Sequence, residues 1–184
     1  MEESSFLNPT YALQNAGLHE GQDVADFGAG SGFFTRAAAR IVGDGQVWAV
    51  DDNGELLTRI KSLCLAEGIH NVDILRGNIE SPKGCGLPAQ HFDMVIAANI
   101  LFSAHNKHQV VTEISRVLKK TGRALVIDWS SSHGGLGPHP DHVISKEDAR
   151  RLFEEGGFQY QATVPAGAYH WGFTVRKKAG SSTQ

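Results

Sequence analysis

The segment Asp26-Phe27-Gly28-Ala29-Gly30-Ser31-Gly32 carries the strongest chemical signal in this sequence. Alternate glycines let a chain turn sharply and leave no Cβ between backbone and ligand. A dinucleotide fingerprint, G-x-G-x-x-G, would need glycine three residues after Gly30, and Phe33 stands there instead. Asp51 follows about 20 residues beyond the glycines, where an acid is placed to accept hydrogen bonds from ribose hydroxyls. Asp52 beside it is a second candidate contact.

A second group lies further along. Asp128 closes an apolar run, and a loop bearing His133, His139 and His142 begins just after it. An aspartate there can orient an acceptor hydroxyl or amine, or pair with His139 to take its proton, a type of catalysis worth roughly 10²-fold or more. The same aspartate can equally cap a loop, and both readings stand. The nine histidines raise a metal reading, above all at His139-Pro140-Asp141-His142 and at His105 with His108. Helical ligand pairs favour i, i+4 spacing, and the loop group lacks an obvious third ligand, so no metal is expected.

Short apolar runs alternating with helical patterns must position these groups, and that order marks a parallel α/β sheet. The runs are 23–27, 46–51, 72–75, 92–98 and 124–129, with helices expected at 33–42, from Asn53 to Gly68, and from about Lys107 through Leu118. Lys119-Lys120-Thr121-Gly122 reads as a turn before the fifth strand. Ser145 with Asp148 resembles a capping box for one more helix, stopped at Gly156-Gly157. Runs 158–164 and 169–176 around Pro165-Ala166-Gly167 suit a hairpin, which makes the last pair antiparallel. A single domain over 1–178 is expected, with an N-terminal arm (1–20), a mobile loop (130–144) and a disordered tail (179–184).

Asp-x-Gly-x-Gly-x-Gly after a strand resembles motif I of class I S-adenosylmethionine-dependent methyltransferases. The resemblance runs over roughly residues 21–129, and more loosely to 177. It implies a Rossmann-like fold with a mostly parallel seven-stranded sheet and an antiparallel last strand. It also implies S-adenosylmethionine as cofactor, which has an ammonium and a sulfonium but no phosphate. Asp26 would help hold a cation, Gly28, Ala29, Gly30 and Gly32 would form the cradle, and helix-start N–H groups would face the carboxylate. Asp51 would take the ribose. Where the family often reads Gly-Asp-Ala, this chain has Gly77-Asn78-Ile79. Asn78 can still accept from adenine through its carbonyl, and Ile79 would offer a backbone N–H and an apolar wall. Ala97-Ala98-Asn99-Ile100-Leu101-Phe102 matches the motif IV region of the branch that includes quinone C-methylases, and Asn99 is assigned to the cofactor site with it. Phe102 stands where many members have histidine, so no catalytic histidine is carried over there.

Composition narrows the function. A formal net charge of -3 and scattered positive residues argue against a nucleic-acid partner. No apolar stretch approaches the roughly 20 residues of a membrane span, and the start, Met1-Glu2-Glu3, is unlike a signal peptide; a cytoplasmic protein is expected. Two cysteines make neither a disulfide framework nor a zinc site: Cys64 reads as a small core residue and Cys85 as an exposed thiol. No Asn/Asp-Pro-Pro-Tyr segment and no Pro-Cys nucleophile are present. The expected activity is methyl transfer to O, N or C of a small-molecule acceptor. The alternatives are a protein or RNA methyltransferase, or a catalytically inactive cofactor-binding module. Phe6 and Tyr11 are candidates to close over the cofactor, and Tyr169, His170 and Trp171 to wall a substrate pocket or pack the final hairpin. Oligomeric state is left open.

Overall fold

The computed structural model describes residues 6–132 and 136–178. Its seven strands are β1 (Val24–Phe27), β2 (Val47–Asp51), β3 (Val72–Arg76), β4 (Phe92–Ala98), β5 (Leu118–Trp129), β6 (Phe158–Thr163) and β7 (His170–Lys177). They form one sheet in the order β3-β2-β1-β4-β5-β7-β6. β1 to β5 pair in parallel, while β7 runs antiparallel to both β5 and β6. The strand order reverses between β1 and β4, which opens a crevice at their carboxyl ends.

The central strands are apolar on both faces because helices cover both. Ala25 and Phe27 of β1 point to one side with Val95, Ala97, Ala124 and Val126. Val24 points to the other with Met94, Ile96, Leu125 and Ile127. Side chains alternate across a strand, so each run feeds two cores. The first core is covered by α4 (Lys107–Val117) and α5 (Lys146–Glu155). The second is covered by α1 (Pro9–Asn15), α2 (Phe33–Val42) and α3 (Gly54–Ala66). Expected capping is present: Asn53 accepts from Glu55 and Leu56, and the Ser145 hydroxyl from Asp148 N–H at 3.0 Å.

Several local expectations change. The arm contains a helix, α1, started by Asn8, whose side chain accepts the Tyr11 N–H at 3.0 Å. Arg123 Nη1 ties this arm to the sheet by donating to Ala16 O at 2.9 Å. The turn 119–122 is absorbed into β5 as a bulge, since Phe92 pairs with Leu118 and Met94 with Arg123. Cys85 is buried, not exposed; burial pushes its thiol up to about 11. Its N–H donates to Glu113 Oε1 at 2.8 Å, and Arg116 grips that same carboxylate, so the 84–87 loop is bonded to α4. The segment expected to be mobile is in part packed. A Cβ on Gly137 would meet the Trp129 indole at 2.7 Å, Pro140–His142 forms a 3-10 turn, and Ile144 O accepts from Trp171 Nε1 at 3.1 Å. His133 and the tail 179–184 lie outside the described residues.

Candidate active site

Two adjoining cavities occupy the crevice at the strand-order reversal. The larger, about 820 Å³, is bounded by the Asp26–Ser31 loop, the start of α2, the N-terminal residues 6–9, Asn99, Trp129 and His170. The smaller, about 240 Å³, is bounded by Asp51, Asp52, Asn78, Ile79, Glu80 and the 99–104 turn. Gly28 and Asn99 border both.

The loop is shaped by backbone conformations that L side chains rarely adopt. Gly28 has φ +64°, and a Cβ there would meet Ile100 Cγ2 at 2.5 Å. Gly30 has φ +52°, but its missing Cβ faces open space, with only Gly28 O at 3.7 Å. Backbone can therefore approach a ligand closely at Gly30. Gly32 does a different job: it is buried, does not border either cavity, and a Cβ on it would strike Ile60 Cγ1 at 2.7 Å. It lets α2 pack on α3.

The loop N–H groups are largely committed within the fold. Ala29 N–H donates to Val50 O at 3.1 Å, Gly30 N–H to Asp51 Oδ2 at 2.9 Å, and Gly32 N–H to Ala29 O at 2.8 Å. These three N–H groups precede the start of α2 at Phe33, so they are not the helix-start donors expected to face a carboxylate. Asp51 accepts a second bond from Asn53 N–H at 2.9 Å, through Oδ1. Each Asp51 oxygen keeps a further lone pair, and the carboxylate borders the smaller cavity.

Asp26 is buried at the end of β1 and takes the Thr35 hydroxyl at 2.5 Å. Burial raises its carboxyl to about 7, against the lowering effect of Thr35. Asn78 Oδ1 accepts Glu80 N–H at 2.8 Å, closing a turn beside Ile79. The structure therefore gathers Asp26, Gly28, Ala29, Gly30, Asp51, Asp52, Asn78, Ile79 and Asn99 around one crevice.

The acceptor-side pair is not gathered. Asp128 is fully buried and borders neither cavity. Its Oδ2 accepts the N–H groups of Leu101 (2.9 Å) and Phe102 (3.2 Å), and its Oδ1 that of Trp129 (2.8 Å). Desolvation raises this carboxyl to about 6 in spite of those three donors. His139 is exposed, caps the 3-10 turn and faces Asp141 at 3.4 Å. Of the two readings of Asp128, the geometry is that of the cap. Among the described residues no group of three or more His, Cys, Asp or Glu side chains could hold a metal ion.

His170 does border the larger cavity, its ring 4.2 Å from that of Trp129. Trp171 turns inward and stacks on Phe173, while Tyr169 packs on Phe6. Phe6 borders the cavity; Tyr11 does not. Trp129 went unrecognised in the sequence because it reads simply as the end of an apolar strand.

Comparison with known proteins now bears on this arrangement. The methyltransferase domain family matches residues 24–122, more than half of the chain. The chain belongs to the methyltransferase-domain family. Within it, the chain is 34% identical over 129 residues to the ubiquinone/menaquinone biosynthesis C-methyltransferase of Laribacter hongkongensis, covering 70% of this chain and 51% of that protein. The protein of that name from Shewanella pealeana is 33% identical over 139 residues, covering 74% and 51%. The chain thus spans about half the length of these curated relatives. Among solved structures, the S-adenosylmethionine-dependent methyltransferase of Aquifex aeolicus superposes with a TM-score of 0.85 at 26% identity, over 93% of this chain and 90% of that one. The fold is also shared by the [4+2]-cyclase SpnF (TM-score 0.79, 17% identity, covering 94% and 80%). As a family member the chain has a class I methyltransferase fold, and its motif I loop is the segment 26–32. No helix among the described residues is long and apolar enough to cross a membrane.

Proposed function

We propose that this protein binds S-adenosylmethionine across both cavities and methylates a small, mainly apolar acceptor. The observation that carries the acceptor class is the wall of the larger cavity, built from Phe6, Leu7, Pro9, Phe33, Phe34 and Trp129. Phe6 and Phe33 are each more than 60% exposed at its mouth. Such a wall suits a ring or hydrocarbon and offers little to a phosphate backbone. The relatives named for ubiquinone and menaquinone biosynthesis are consistent with a ring-bearing acceptor, and carbon is the favoured acceptor atom on that ground.

When bound, the cofactor supplies an already activated methyl group. The work left to this chain is alignment, where orientation can supply several kcal/mol of the barrier. Asp51 and the Asn78-Ile79 turn would hold the nucleoside half. Asp26 would face the cationic amino-acid half, with Gly30 admitting it close to the backbone. The aromatic wall would orient the acceptor and exclude water. His170 is the imidazole that borders this cavity, and it would serve as the base if the acceptor must lose a proton. A cytoplasmic setting is proposed with this reading, in keeping with two free, buried cysteines.

The test has two arms. Calorimetry should show S-adenosylmethionine and S-adenosylhomocysteine binding while NAD and NADP give no heat. Methyl-labelled cofactor should then mark hydroxylated quinols or phenols, and not oligoribonucleotides or peptides. Preferential NAD binding would sink the cofactor assignment; labelling of RNA or peptide alone would sink the acceptor class.

A further inference from the structure

Asn78 is the residue expected to accept from adenine, yet its carbonyl is already engaged. Asn78 Oδ1 accepts Glu80 N–H at 2.8 Å and so closes its own turn. That turn delivers an acid to the same cavity. Glu80 borders the smaller cavity together with Ile79, Ile100 and Ala104. Its side chain is anchored, because Asn106 N–H, at the start of α4, donates to Glu80 Oε2 at 2.5 Å. A carboxylate has about four acceptor positions on its two oxygens, and this bond occupies one of them. Among the described residues, the other carboxylates bordering this cavity are Asp51 and Asp52, which stand together at the end of β2. Glu80 comes from the opposite approach, after β3.

Under the cofactor reading above, on which this inference rests, Asp51 takes the ribose and the base lies against the turn after β3. An adenine presents two N–H donors of its 6-amino group at the edge of a flat, largely apolar ring. We infer that Glu80, not Asn78, accepts that amino group and makes the site specific for an adenine nucleoside. Ile79, Ile100 and Ala104 supply apolar surface for the ring itself. An ionised carboxylate accepts such a donor more strongly than a neutral amide carbonyl does. It also has no donor of its own, so a base without the amine leaves it desolvated and unpaired, which is how a polar site rejects an analogue. The bond from Asn106 fixes the carboxylate before the ligand arrives, and less ordering is then left for binding to impose.

The experiment compares S-adenosylhomocysteine with its analogue in which hydrogen replaces the 6-amino group, by calorimetry and without any acceptor. Wild-type protein should bind the amino compound more tightly by roughly tenfold or more. Glu80→Gln keeps the length of the side chain and an oxygen for Asn106 N–H, which turns the new amide NH2 toward the base. That variant should lose most of the preference. Glu80→Ala deletes the acceptor outright and should lose it too, and it becomes the deciding variant if Glu80→Gln does not fold. A residue that merely anchored α4 would weaken both compounds equally and leave their ratio unmoved. An unchanged ratio in the variants, or a wild-type protein that binds the two compounds alike, overturns the inference while leaving the cofactor reading intact. Wild-type protein that binds neither compound overturns both.

Discussion

Asp128 Oδ2 accepts the backbone N–H of Leu101 at 2.9 Å, joining the end of β5 to the turn after β4. With the bonds from Phe102 and Trp129, this carboxylate holds the turn that carries Asn99 against the crevice. Asp128→Ala leaves three backbone donors unmet, that of Leu101 buried and those of Phe102 and Trp129 partly so, and a buried donor costs about 1–3 kcal/mol when orphaned. Urea unfolding should show a loss of several kcal/mol, with weaker S-adenosylhomocysteine binding. A variant of normal stability and affinity that has lost methyl transfer would restore Asp128 to the chemistry.

The two cradle glycines should fail differently. Gly28→Val drives a branched side chain into Ile100 at a positive φ, so its melting temperature should fall together with cofactor affinity. Gly30→Val projects into open space. It should remain folded, at the cost of about 1–2 kcal/mol for the left-handed backbone, and lose S-adenosylhomocysteine binding by more than tenfold. Normal binding by Gly30→Val would leave that position as a turn and nothing more.

For the ribose contact, Asp51→Ala should weaken cofactor binding by about 1.5–3 kcal/mol, the range for hydrogen bonds to a charged group. Asp52 is a useful contrast: it is exposed, and Arg76 Nε donates to its backbone carbonyl, not its carboxylate. Asp52→Ala should cost less. Equal losses in isothermal titrations of the two variants would contradict this division of roles.

Stability should depend on pH in an unusual direction. Asp26 has a folded value of about 7 and Asp128 of about 6, both above the ordinary 3.8. Each is protonated in the folded chain where the unfolded chain has already released its proton. The folded state then binds more protons, so stability falls as pH rises from about 4 through 7. Below about 4 the favourable contribution is fully present. Thermal melts of the protein without cofactor should trace this decline, and Asp26→Asn should flatten it. A slope unaltered in Asp26→Asn would count against Asp26 as its source.

The cluster around Cys85 backs the turn that borders the smaller cavity, since a Cβ on Gly77 would meet Cys85 O at 2.2 Å. Glu113→Gln disrupts the carboxylate shared by Cys85 N–H and Arg116, which should lower stability by about 1–3 kcal/mol and weaken cofactor binding with it, because the 77–79 turn loses its support. Parallel unfolding and binding measurements would decide it.

Much of this molecule is legible from local pattern. The motif I loop, the acid at the end of β2 and the alternation of apolar runs with helical periods are written in consecutive residues, and they determine the fold class and much of the lining of the crevice. The exact edges of β5 were not legible, because the bulge at 119–122 depends on pairing with β4 across the sheet. Cys85 was misread for a related reason: its Gly/Pro-rich surroundings look exposed, and only the partner carboxylate from α4 shows why the loop packs inward. Asp128 and His139 are close in sequence and each is of a catalytic type, yet three backbone donors take one and solvent the other. Gly32 belongs to the motif but serves helix packing against Ile60. Conversely, Phe6, Trp129 and His170 come from three distant segments, and no spacing relates them. Their meeting over the crevice is decided by β7 entering antiparallel beside β5, which sets His170 against Trp129. Side-chain period and turn chemistry are local and survive in one dimension; the choice of wall opposite the cofactor is a matter of strand order, which only the closed sheet specifies.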